Sequence, residues 1–335
     1  MILTISLFLI KWYTREITIL TMSKKHLITS IFILLIGVIV VFYFADIPFP
    51  PRFFDPSRQV ATVPDSFDPT TPPTPTQKEP LTYSALTIET TDPRTELVQA
   101  VGEENIDTVL GINRIDLRFV QKGMTLSIPD DFTRPEDFFP FPTTVESASS
   151  IPKLILVAQH VQAFGIYEHG TLVRSGPISS GKESTPTPSG LYFTNWRGRD
   201  VISTVNDEWI MDWYFNIENK EGISVHEYEL PGYPASHSCV RLRTEDAKWI
   251  HGWAKEWVLS ENGWNILVRG TPVILFGTYN HDGVAPWKLL SENPTATTVS
   301  ENEVENILNH HLYTIETYQQ DREEYEDSKQ EESSM

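Results

Sequence analysis

The longest uninterrupted apolar stretch is Leu27 to Phe44, 18 positions without a charge, weakly broken by Thr29, Ser30 and Gly37. At a helical rise of 1.5 Å per residue it spans about 27 Å, close to the hydrocarbon thickness of a bilayer, and it predicts one transmembrane helix. Lys24, Lys25 and His26 precede it and Asp46 follows. The positive-inside rule therefore keeps residues 1–26 in the cytoplasm and exports the rest. The sequence Phe42-Tyr43-Phe44-Ala45-Asp46 offers a poor cleavage site, so the segment reads as an uncleaved anchor. Met22, directly before Ser23-Lys24-Lys25, reads as a better start than Met1, and a start there would leave the first 21 residues outside the protein.

Beyond the anchor, residues 45–80 hold ten of the chain's 24 prolines, with Pro69-Thr-Thr-Pro-Pro-Thr-Pro75 at the centre. Proline lacks a backbone donor and favours extended polyproline II, so this is a stalk. The block 81–130 carries helical patterns at Thr95–Val101 and Asn105–Asn113, then a strand at Val120–Pro129 entered through Lys122-Gly123. That order predicts a small α/β unit. It resembles a degenerate LysM module, which implies binding to the glycan strands of peptidoglycan; a small packing domain ahead of the main one fits the same residues equally well.

A second Pro/Phe-rich connector occupies 131–150. From Ile151 to Gly277 short apolar or alternating runs recur between turn residues: Lys153–Gln159, Ala163–Tyr167, Gly190–Thr194, Ile223–His226, Trp264–Val268 and Pro272–Phe276. They predict a mainly β domain. One helix interrupts it, with Thr244 as N-cap, Glu245 and Asp246 in the first turn, and Ala247, Ile250, Trp253, Ala254 and Trp257 on one face. After Gly277 the chain turns polar. Glu301–Tyr325 carries a marginal helical pattern, and 321–335 has seven acidic residues against two basic, so 278–335 reads as a solvated, disordered acidic tail.

Composition narrows the chemistry. Of 335 residues 40% are hydrophobic, enough for a packed core, and the formal charge of −19 removes nucleic acid as a default partner because phosphate contacts need clustered positive charge. One cysteine excludes an intrachain disulfide and a cysteine-based zinc cluster. That residue, Cys239, lies in Ser236-His237-Ser238-Cys239-Val240-Arg241-Leu242, and a Pro231-Gly-Tyr-Pro234 loop folds His226 back toward it. A thiol becomes a good nucleophile when an imidazole or guanidinium stabilises its thiolate. A lone cysteine is more often inert core. Here two of nine histidines, an arginine and a following helix N-terminus converge on it.

The run Ser236-His-Ser-Cys-Val-Arg-Leu242 resembles the nucleophile motif of the L,D-transpeptidase family, the YkuD-type domain, written Ser-His-Gly-Cys followed by an apolar residue and Arg or Asn. Gly181 to Gly190, with Thr187-Pro188-Ser189-Gly190, resembles its Gly…Thr-Pro-x-Gly segment, and Trp213–His226 resembles the lead-in to its catalytic histidine. The likeness spans about residues 151–277. It implies a β-sandwich with one or two short helices, Cys239 as nucleophile and His226 as general base and acid. It also implies that Ser236 and His237 shape the pocket, that Arg241 faces a substrate carboxylate or the oxyanion region, and that main-chain N–H groups from His237 to Cys239 form the oxyanion hole. Ser238 replaces the usual glycine, which matters if that position needs a positive φ. Glu227 follows His226 where a small residue is common.

The resemblance further implies acyl transfer on peptidoglycan stem tetrapeptides: a thioester with loss of D-Ala, then a 3-3 crosslink with an amine from another stem. A free D-amino acid or a lipoprotein lysine are further acceptors. No metal or cofactor is required. The expected location is the inner membrane as a single-pass protein, with the catalytic domain in the periplasm or wall space. Two alternatives remain at this level: an L,D-carboxypeptidase using water, and an inactive wall-binding scaffold with Ser238 marking lost catalysis.

Overall fold

A computed structural model describes residues 81–334 except 139, 204 and 205. The proposed cytoplasmic segment, anchor and stalk, residues 1–80, lie outside the described residues. Among the described residues no helix is long and apolar enough to cross a membrane.

The small unit consists of β1 (Tyr83–Thr87), α1 (Pro93–Val101), α2 (Ile106–Ile112) and β2 (Thr125–Pro129), with β1 antiparallel to β2. Pro93 sits in the first turn of α1, where a missing N–H costs nothing, and Asp92 caps it by accepting from the Thr95 N–H. Ile88, Leu97, Val109, Leu110 and Leu126 build a core of its own. The two helices and β2 match the sequence expectation; β1 is an additional strand, and it pairs along the whole of β2.

The main domain runs through β3 (Leu154–Ala158), β4 (Ala163–Glu168), β5 (Thr171–Pro177), β6 (Gly190–Phe193), β7 (Arg197–Gly198), β8 (Val201–Ile202), β9 (Ile210–Glu218), β10 (Ile223–Glu227) and β11 (Val240–Leu242). It continues with α3 (Thr244–Trp253), β12 (Val258–Leu259), β13 (Ile266–Val268), β14 (Pro272–Phe276) and α4 (Glu301–Ser334). One sheet has the order β5-β4-β3-β14-β6; a second has β11-β10-β9-β7, with β8 also on β9. Most pairs are antiparallel, but β3–β14 and β10–β11 are parallel. The domain is mainly β, as expected.

Alternation on β3 explains the layering. Ile155 and Val157 point into the core shared with Phe215, Val225 and Val240 of the second sheet and with Ala247 and Ile250 of α3. Leu154, Leu156 and Ala158 point the other way, as do Ile274 and Phe276 of β14. A strand apolar on both faces needs cover on both. The second cover is α4, through Val304, Leu308 and Ile315.

The acidic C-terminal segment is therefore a 34-residue helix and not a disordered tail, and the main domain carries more than short helices. Three apolar positions suffice because docking, rather than propensity, stabilises a helix in a protein. Arg322 extends the contact by donating to the carbonyls of Glu256 and Arg269. The connector 131–150 also enters the structure, with Phe141, Val145 and Ala148 buried in the same core as α4. Helix α3 begins one residue earlier than expected, with Arg243 at the N-cap, and stops at Trp253, so Trp257 lies beyond it.

Candidate active site

Strands β10 and β11 run parallel with Val225 opposite Val240 and His226 opposite Arg241. Side chains alternate along a strand, so Ser224 and His226 share a face, and Arg241 shares it with Cys239 at the strand's entrance. Tyr214 and Asn216 of β9 extend this face, and all but Ser224 line a cavity of about 230 Å³. Trp196 and Trp209 form part of its wall, and Ser236 and His237 reach it from the loop before β11.

Cys239 is half-buried and unpaired. The Ser224 hydroxyl donates to its Sγ at 3.2 Å, and the Ser224 main-chain N–H also donates to the sulfur. The Cys239 carbonyl is fixed from the other side, accepting from Ser236 Oγ and, at 3.5 Å, from Thr187 Oγ1. Thr187 in turn accepts from the Gly181 N–H at 2.8 Å. A Cβ on Gly181 would lie 2.2 Å from the Thr185 carbonyl oxygen, so only glycine permits this close approach. The Gly181–Gly190 segment thus braces the loop that carries Cys239.

His226 is buried, and its Nδ1 lies 2.8 Å from the main-chain carbonyl of Glu227. A carbonyl only accepts, so Nδ1 carries the proton and Nε2 keeps its lone pair. Burial pulls the imidazole pKa down to about 4, with the Arg241 charge acting in the same direction and the Glu227 hydrogen bond opposing. Burial likewise pushes the Cys239 thiol up, outweighing the lowering by the Ser224 hydrogen bonds and by Arg241. The expectation that neighbouring charges depress the thiol pKa is not met, because removing a thiolate from water costs more here than those neighbours return. At neutral pH the site holds a neutral thiol and a neutral imidazole.

Arg241 stacks its guanidinium 4.5 Å from the centroid of Tyr228. His237 packs against Trp209 with centroids 5.0 Å apart, and its Nε2 lies 3.2 Å from Lys182 Nζ. An ammonium only donates, so His237 Nε2 accepts; burial and the charges of Lys182 and Arg241 hold this imidazole below its usual pKa. Ser238 has φ 72°, the left-handed region that favours glycine, and its hydroxyl lies 3.4 Å from the Thr185 carbonyl. Every residue singled out from the sequence, Ser236, His237, Ser238, Cys239, Arg241 and His226, lies in or beside this cavity. Sequence reasoning missed Ser224, which its position two residues before His226 on one strand would have flagged, and Lys182, Trp209 and Tyr214, for which no comparable signal exists.

Residues 152–275 match the family model of the L,D-transpeptidase catalytic domain, YkuD. This segment of the chain is a member of the L,D-transpeptidase catalytic domain family. Solved structures resemble part of the chain. An L,D-transpeptidase from Mycobacterium smegmatis is 19% identical over 38% of this chain and 59% of its own, with a TM-score of 0.30. One from Xylanimonas cellulosilytica is 24% identical over 47% and 73%, TM-score 0.32. The catalytic domain of the E. faecium L,D-transpeptidase is 22% identical over 37% and 96%, TM-score 0.29. The chain thus spans 59% of the length of the M. smegmatis protein. A search of curated proteins finds no match.

Proposed function

We propose that this protein is a peptidoglycan L,D-transpeptidase with Cys239 as its nucleophile. The sulfur attacks the carbonyl carbon after the diamino acid at position 3 of a stem tetrapeptide while its proton passes to His226 Nε2. Main-chain N–H groups from His237 to Cys239 hold the oxyanion, and Arg241 meets the carboxylate of the departing D-Ala. The tetrahedral intermediate collapses to a thioester, and D-Ala leaves with the proton from His226. An amine of a second stem then gives its proton to His226, attacks the thioester and forms a 3-3 crosslink, releasing the thiol. The supporting observation is the shared strand face that puts Cys239, His226 and Arg241 together at one cavity, with Ser224 behind them bonded to the sulfur. The test is mass spectrometry of the protein with a disaccharide-tetrapeptide. A thioester adduct and a crosslinked dimer are expected with the native protein and not with Cys239→Ala. Tripeptide alone would assign the carboxypeptidase reaction, and no product would leave a scaffold.

The same reading places the enzyme on the outer side of the inner membrane, held by Leu27–Phe44 and the proline-rich stalk. Protease added to spheroplasts should digest the catalytic domain; protection would refute that location. The LysM-like unit would add affinity for glycan strands. Retention of the protein on purified sacculi should then be competed by peptide-free glycan, and competition by stem peptides alone would assign retention to the catalytic cavity.

A further inference from the structure

A second cavity, of about 290 Å³, lies at the seam between the small unit and the main domain, away from Cys239. Three arginines line it, and they differ in what neutralises them. Arg174 is paired with Asp246, its Nε 2.7 Å from Oδ1. Arg114 is buried, donates from Nε to the Val161 carbonyl at 3.1 Å and from Nη1 to the Ile112 carbonyl, and has no partner for Nη2. Arg243 donates from Nη1 to the Asp107 carbonyl at 3.1 Å. Carbonyl oxygens satisfy donors but carry no full negative charge. Among the described residues neither Arg114 nor Arg243 forms an ion pair, although Asp107 and Glu245 stand exposed at the cavity wall.

A guanidinium buried without a counter-charge is costly, and a second one nearby makes it more so. Both effects are present: burial pulls the Arg114 pKa down to about 10, with the charge on Arg243 acting in the same direction and Tyr83 opposing. Arg114 still remains a cation at neutral pH. The two guanidiniums approach each other around Gly111: Arg243 Nη1 would lie 3.3 Å from a Cβ there, and Arg114 Nη1 lies 3.5 Å from the Gly111 carbonyl. A planar fork of donors with a free N–H fits the two oxygens of a carboxylate or phosphate group.

We propose that this seam cavity binds a small oxyanion, a carboxylate or a phosphate group, between Arg114 and Arg243. The bound group would bridge the small unit to the main domain. The inference does not rest on the proposed acyl transfer, since no residue of the Cys239 cavity takes part. The test is calorimetric titration of the full chain with acetate, with inorganic phosphate and with chloride at constant ionic strength and neutral pH. Saturable binding of acetate or phosphate, but not of chloride, is expected, and which of the two saturates identifies the source. Arg243→Gln should weaken that binding about tenfold or more, because charge-assisted hydrogen bonds are the strong ones. It should leave acylation of Cys239 by a carbapenem-type β-lactam unchanged. Arg114→Lys, which keeps charge but loses the fork, serves as a second variant and should weaken binding comparably. Absence of saturable binding by both anions, or binding indifferent to both substitutions, would overturn the proposal.

Discussion

Asp116 clasps Leu230 at both ends of its peptide. The Asp116 N–H donates to the Leu230 carbonyl at 2.8 Å, and the Leu230 N–H donates to Asp116 Oδ2 at 2.8 Å. Ile115 bridges Pro231 beside it, and Arg118 reaches Glu229 at 2.6 Å. The loop so held is the one that connects His226 to Ser236 and Cys239, so the small unit braces the segment that sets the imidazole and thiol relative to each other.

Asp116→Ala should therefore slow acylation of Cys239 with a smaller effect on global stability, since a misplaced reacting group costs rate steeply. A loss of about tenfold in acylation by a carbapenem-type β-lactam is expected, measured by adduct mass against time. Asp116→Asn keeps an oxygen acceptor and should recover most of it. Equal rates for the native and Ala proteins would show that the loop holds its shape unaided.

Ser224 is the residue through which the sulfur is tuned. A hydroxyl that donates to a developing thiolate is worth about 1.5–3 kcal/mol in stabilising the charged form. Ser224→Ala should raise the thiol pKa further and slow acylation about tenfold. Alkylation of Cys239 across pH reports the pKa directly, and Ser224→Thr should restore it. An unchanged alkylation profile in Ser224→Ala would mean the 3.2 Å contact contributes packing only.

Much of this arrangement was legible in the sequence, and the exceptions have physical causes. Lys153–Gln159 and Pro272–Phe276 announce themselves as strands because both faces are apolar, and the Ser236–Leu242 motif points to the cavity directly. Helix α4 hides because Val304, Leu308 and Ile315 are sparse among 34 mostly polar residues, and only the uncovered face of β3 and β14 explains why they dock. Strand β1, with burial pattern split among exposed and intermediate positions, carries too weak an alternation to be read alone. The direction of the thiol pKa was unreadable for another reason: burial, which the order of residues does not disclose, decides the sign.

His226 gives the site its pH dependence. The imidazole pKa falls from 6.5 to about 4 on folding, so between those values the unfolded chain binds the proton and the native one does not. This contribution to stability is present above pH 6.5 and is lost as pH falls toward 4, amounting to about 3 kcal/mol at most. Against His226→Gln, the native protein should lose stability faster across that window in urea titrations. The acid limb of acylation should fall near pH 4, where the base protonates. A limb near 6.5 would mean that the imidazole is solvated.

Ser238 is the position where this chain departs from the family's glycine, and its φ of 72° shows what that departure costs. An L-residue in the left-handed region is destabilised by about 1–2 kcal/mol, whereas glycine gains that back but loses about 0.5–1 kcal/mol to the greater freedom of its unfolded state. The hydroxyl returns little at 3.4 Å from the Thr185 carbonyl. Ser238→Gly should therefore be neutral to stabilising by about 1 kcal/mol in urea unfolding, and it should acylate at least as fast as the native protein because less side chain narrows the approach to Cys239. Ser238→Val, β-branched and without a hydroxyl, should destabilise by more than 1 kcal/mol on the same strain argument. A large loss of acylation in Ser238→Gly with stability unchanged would give the hydroxyl a role in binding substrate that its bond to Thr185 does not disclose.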